Sequence, residues 1–152
     1  MEDQPMVMHS KASILVVDDE ELIRNLVCLM LSKLGYKPTS ARHAIEALNC
    51  IKHDDGFQLV LTDINMPIIN GWQFALRVKA LKPCLPIVAL TGESPDGILP
   101  RLTGSGISHA LFKPIQMNSL GNALSSILES TTDTYTIECV ASGDKDISFK
   151  YI

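Results

Sequence analysis

The chain has 152 residues, 46% hydrophobic and 20% charged, with 13 Lys and Arg against 17 Asp and Glu for a formal net charge of −4. That length suits one domain with a sizeable core, and no apolar run approaches the roughly 18 residues of a membrane helix, so no membrane span is expected. An acidic balance without a Lys/Arg stripe argues against direct nucleic-acid binding.

Residues 1–11 form a polar leader that begins with acids and has neither the basic start nor the apolar stretch of a secretory signal, which makes the cytoplasm the expected location. "SILVV" (13–17) reads as a first strand. In "DEELIRNLVCLMLSKLG" (19–35), Leu22, Ile23, Leu26, Leu29, Met30 and Leu34 recur at helical spacing. Acids suit the start of that helix, and Gly35 stops it. "KPTSA" (37–41) is the second strand and "RHAIEALNCIKH" (42–53) the second helix. "FQLVLT" (57–62) is an apolar third strand that runs straight into Asp63, and "GWQFALRVKAL" (71–81) is the third helix. "PIVALT" (86–91) and "HALF" (109–112) are the last two strands, and "MNSLGNALSSILES" (117–130) is the last helix. Between them "DGILPRLTGSG" (96–106) is a poor helix, expected to hold Pro100 in its first turn and to end at Gly104 and Gly106.

Domain limits are therefore 12–130, followed by an extension at 131–152. In it Tyr135, Ile137 and Cys139 alternate, "SGD" turns, and Ile147, Phe149 and Tyr151 alternate again, a β-hairpin pattern for which disorder is the competing reading. Cys28, Cys50, Cys84 and Cys139 show no CxxC and no zinc spacing, so reduced structural thiols are expected.

Apolar strands separated by helices imply a doubly wound α/β fold with a five-stranded parallel sheet covered on both faces; if its order is the flavodoxin-like 2-1-3-4-5, the first and third strands are neighbours. In such a sheet ligands gather at the carboxyl ends of the strands, where Asp18, Asp19, Asp63, Thr91 and Lys113 all fall. Each has a plain local explanation as a first-turn acid, a turn residue or a solvated strand end. Taken together they bring three carboxylates into one crevice, a self-repelling cluster that a hard dication relieves. Mg2+, with Mn2+ as the substitute, suits such oxygen donors. A carboxylate nucleophile, a metal, a lysine and a hydroxyl make a phosphoryl-transfer site with Asp63 as acceptor.

The segments "ILVVDDEELIR", "LVLTDINMPIINGW", "PIVALTGES" and "ALFKPI", in this order over residues 12–130, resemble the receiver domain of two-component response regulators, the chemotaxis-regulator type. The resemblance implies that Asp63 takes phosphate from a sensor histidine kinase or phosphotransfer protein. It implies that Asp19, Asp63 and the backbone carbonyl of Asn65 ligate the metal, with Asp18 acting largely through water. Lys113 would pair with Asp63 or its phosphoryl group, the bond to Pro114 would be cis, and Asn65 and Glu93 would border the path of attacking water. Gly71 and Gly106 match family glycines. Implied partners further include a downstream protein target or a missing output domain, with a homodimer as an option; neither nucleic acid nor membrane is expected.

One position departs from the family. Three residues before the lysine, receivers carry Tyr or Phe, and here Ala110 stands instead. The adjacent His109 has the opposite strand parity and is no substitute. Without that ring, signalling is expected to use rearrangement of residues 93–106. Such a domain catalyses its own phosphorylation and dephosphorylation and is not an enzyme in the ordinary sense. Two rivals are weaker: a haloacid-dehalogenase-type phosphatase needs a second Asp where Asn65 stands, and a pseudo-receiver would lack an acidic or lysine position, none of which is lost.

Overall fold

The computed structural model describes residues 12–130, so both the leader and the extension at 131–152, with its hairpin, lie outside the described residues. Strands β1 (Ser13–Val17), β2 (Lys37–Ala41), β3 (Phe57–Asp63), β4 (Ile87–Thr91) and β5 (His109–Phe112) alternate with helices α1 (Glu21–Lys33), α2 (Ala44–His53), α3 (Gly71–Leu81), α4 (Pro95–Leu102) and α5 (Met117–Ser130). All four strand pairings are parallel, and the order is β2-β1-β3-β4-β5. The expected fold is the observed one.

A two-residue side-chain period sorts the strands between two cores. Leu15, Val17, Val60, Ile87 and Ala89 face one cluster with Ile51, Phe74 and Val78 of α2 and α3. Ile14, Val16, Leu59, Leu61, Val88 and Leu90 face the other, with Val27 and Leu31 of α1 and Leu120 and Leu124 of α5. Central strands are buried on both faces and hence apolar throughout, whereas β2 at the sheet edge is largely exposed and tolerates Pro38. Cys28 and Cys50 keep free thiols, and burial raises the pKa of both, which leaves them poor nucleophiles.

The helix ends follow local chemistry. α1 closes in a Schellman turn: Gly35 at φ 96 donates its N–H to the Ser32 carbonyl, and Tyr36 donates to that of Leu31. α3 opens with a reciprocal capping box between Asn70 and Gln73.

Two expectations need correction. α1 carries two overlapping apolar stripes, and the one that docks runs through Ile23, Val27, Leu31 and Leu34. Leu22, Leu26 and Leu29 remain exposed at 83%, 46% and 55%. Spacing alone ranks both stripes alike; packing against Ile14, Val16, Leu59 and Leu61 of the sheet and Leu120 and Leu124 of α5 selects the stripe through Val27 and Leu31. Second, Pro100 lies beyond the first turn, inside α4, because the helix starts earlier, with Pro95 preset for its first position. Lacking an N–H, Pro100 forfeits a helical hydrogen bond in a helix of eight residues that buries only Ile98. The guanidinium of Arg101, 4.3 Å from the centroid of the half-buried Trp72 ring, ties this short helix to α3.

Candidate functional site

The carboxyl ends of β1, β3, β4 and β5 form one rim, and the sequence-predicted residues meet there. Asp18 follows β1, Asp63 ends β3 beside it, Thr91 ends β4, and Lys113 follows β5. One ligand oxygen from each of Asp18, Asp19 and Asp63 lies within 4.8 Å of the others. Asp18 and Thr91 are fully buried, Asp63 is 5% exposed, and Asp19 is open to solvent. Strand order produces this meeting, since β1 and β3 are neighbours although 45 residues separate Asp18 from Asp63.

Lys113 spans the gap. Its Nζ lies 3.3 Å from Asp18 Oδ2 and 3.6 Å from Asp63 Oδ1, so the ammonium bridges the two acids and sits nearer Asp18 than Asp63. The backbone supports it: the Lys113 N–H donates to the Thr91 carbonyl at 2.7 Å, and the bond to Pro114 is cis, as expected. Asp63 Oδ1 also accepts from the Asn65 N–H at 3.4 Å. Burial, and next the charge of Asp18, push the Asp63 carboxyl up from 3.8 to about 6, against the opposing pull of Lys113 and the nearby backbone N–H groups. Thr91 Oγ1 accepts the Glu93 N–H at 3.0 Å, which ties the loop after β4 to the rim; the Asn65 and Glu93 residues themselves are exposed. Ala110 is half-buried, paired in register with Ala89.

The loop from Asp63 to Gly71 is short and tightly folded. Met66 and Ile69 point into the core, and Ile68 between them is forced to φ 70, the one positive value at a non-glycine residue among those described. Gly71 closes the loop, donating its N–H to the Ile64 carbonyl at 2.7 Å.

Two buried groups escaped the sequence reading. Thr62 donates its hydroxyl to the Asp63 carbonyl at 2.9 Å. Arg24, 9% exposed, donates from Nη1 to the Asp18 carbonyl at 2.8 Å. The signal for Arg24 was present, since it shares a helical face with Val27 and Leu31, where a charge is out of place unless a buried acceptor awaits it.

The donor set is all oxygen and mutually repelling, and one of its two buried acids, Asp63, is held above the usual carboxylate range. Those residues fit a hard divalent cation.

Comparison with known proteins agrees with this geometry. The family model of the response regulator receiver domain matches residues 14–125. The autoinducer 1 sensor kinase/phosphatase LuxN of Vibrio campbellii is 33% identical over 132 residues, 87% of this chain and 15% of LuxN. The chain thus spans only a small part of that curated relative. Among solved structures, the chemotaxis response regulator CheY4 of Vibrio cholerae is 30% identical with a TM-score of 0.70, covering 77% of this chain and 98% of CheY4. The response regulator TrrA of Thermotoga maritima, solved in complex with Mg(2+)-BeF, is 30% identical with a TM-score of 0.69, covering 76% of this chain and 97% of TrrA. With the fold, the rim and the family model in agreement, this chain belongs to the response regulator receiver domain family.

Proposed function

We propose that Asp63 accepts a phosphoryl group from a phosphohistidine of a sensor histidine kinase or phosphotransfer protein. The observation that carries this reading is the convergence of Asp18, Asp19 and Asp63 on one point, with the Lys113 ammonium between the two buried acids. An Asp63 oxygen forms the new bond to phosphorus as the bond to the donor's imidazole nitrogen breaks; the electron pair leaves with that nitrogen. The acid must be ionised to attack, and with its pKa at about 6 it is mostly ionised at pH 7.

Lys113 is placed to meet the added negative charge, and the Thr91 hydroxyl to turn toward a phosphoryl oxygen by giving up the Glu93 N–H. Asp18, Asp19, Asp63 and the Asn65 backbone carbonyl would hold Mg2+ or Mn2+, which supplies charge neutralisation on the transferring group. TrrA, solved with Mg(2+)-BeF, supports this assignment. The domain turns over no external substrate beyond its own phosphoryl group, and its downstream target or output domain and any homodimer lie beyond this rim.

Intact-mass measurement after incubation with Mg2+ and a small-molecule phosphodonor tests the reading. One phosphoryl adduct is expected, and none in EDTA. Steady phosphate release from unrelated esters, without an adduct, would favour a phosphatase instead.

Signalling to the surface cannot use a ring at position 110. The loop tied to Thr91 and the weakly buried α4 are the responsive segment, and amide exchange across residues 93–106 is expected to change when Mg2+ and beryllium fluoride are added. Identical protection in both states rejects that route. Among the described residues, no helix is long and apolar enough to cross a membrane.

A further inference from the structure

Resting on the cation-binding reading above, the geometry assigns to Arg24 the role of positioning residue for the divalent-cation site. All three oxygens of Asp18 have a donor: Glu20 N–H reaches Oδ1 at 2.9 Å, Lys113 reaches Oδ2 at 3.3 Å, and Arg24 Nη1 reaches the carbonyl at 2.8 Å. Arg24 supplies the side-chain tie to that carbonyl.

A peptide is planar, so holding the Asp18 carbonyl also holds the amide nitrogen of Asp19 and limits where the Asp19 Cα and carboxylate can point. Asp19 needs the help. It is exposed, and no hydrogen bond or ion pair holds its carboxylate among the described residues. The first turn of α1 completes the brace, since the Arg24 N–H donates to the Glu20 carbonyl at 2.9 Å and fixes the helix start from which the guanidinium reaches back. Arg24 thus sets the aim of a carboxylate that it does not touch.

Charge and positioning predict opposite signs. As a cation near the site, Arg24 repels a dication, so on electrostatics alone its removal tightens binding. As a brace, its removal lets the Asp18–Asp19 peptide turn and weakens binding, and losses of an outer support of this kind run at roughly 10-fold or more in metal affinity.

The test is Mg2+ titration of the full chain, wild type against Arg24→Met and Arg24→Lys, read by Trp72 fluorescence and by the Mg2+-dependent rise in melting temperature. Folded state is checked in EDTA. We expect a Kd for Arg24→Met weaker by roughly 10-fold, with Arg24→Lys recovering part of it because a charged donor of shorter reach remains. If Arg24→Met does not fold, Arg24→Lys is read alone, and a Kd weaker than that of the wild type is expected. An unchanged or tighter Kd, even with a lower melting temperature in EDTA, overturns the inference and leaves Arg24 as a structural arginine. Wild type that binds no Mg2+ by either readout overturns the cation reading itself, and this inference with it.

Discussion

Asp63→Asn is expected to lose the phosphoryl adduct completely and, in metal-free buffer at pH 7, to resist urea better than the wild type. Loss of the adduct follows because the amide nitrogen and oxygen are far weaker nucleophiles than a carboxylate. The gain in stability follows from the raised pKa. An unfolded Asp near 3.8 becomes about 6 on folding, so between these values the folded state binds more protons than the unfolded one. The Asp63 contribution to wild-type stability therefore falls as pH rises from about 4 to about 6 and is flat above that window. The shift corresponds to about 2–3 kcal/mol, and Asn, which does not titrate, escapes it. Urea unfolding in EDTA at several pH values measures both curves. They should converge near pH 4 and separate by pH 6.5, with Asn the more stable. A constant difference across the range, or an Asn variant less stable at pH 7, would mean that Asp63 is not the strained acid described here. An adduct that persists in the variant would move the acceptor to another residue.

Gly71→Ala is expected to destabilise the domain severely, by on the order of 3 kcal/mol or more. A Cβ at this position would sit 2.4 Å from the Asp63 carbonyl oxygen and 2.7 Å from the Ile64 Cα. Both obstacles are backbone, so no side chain can swing aside, and relief requires β3 and α3 to part. Parting them also stretches the 2.7 Å hydrogen bond from Gly71 to Ile64 and moves Trp72 from under Arg101. Gly92→Ala is the control. Nothing lies within 4 Å of its Cβ, and its effect on stability should stay within about 0.5 kcal/mol. Urea denaturation with equal slopes for the three proteins decides the matter; equal midpoints for Gly71→Ala and wild type would show that the junction is more yielding than its geometry.

The sheet was legible because parallel central strands carry the strongest pattern a chain can offer. "SILVV", "FQLVLT" and "PIVALT" are apolar at successive positions, as burial on both faces demands, and their limits match the observed strands within one residue. Asp63 was legible for the opposite reason: an acid directly after such a run must sit at a strand end. Where the reading went astray, the signal was degenerate. α1 has apolar residues enough for two stripes, and Leu22, Leu26 and Leu29 lost to Val27 and Leu31 through a choice made outside the helix. The preference of proline for a first turn points Pro100 there, yet Pro95 holds that position and Pro100 falls inside the helix.

By itself, the order of residues determined the fold class, the rim and the chemistry available at it, because periodicity and strand-end polarity are local properties. Only the tertiary structure decided which acid Lys113 leans toward, how far burial lifts the Asp63 carboxyl, and that Arg24 turns inward to the Asp18 carbonyl. Those outcomes depend on distances between segments far apart in the chain and on how much water is excluded between them, and neither quantity exists until the sheet has closed.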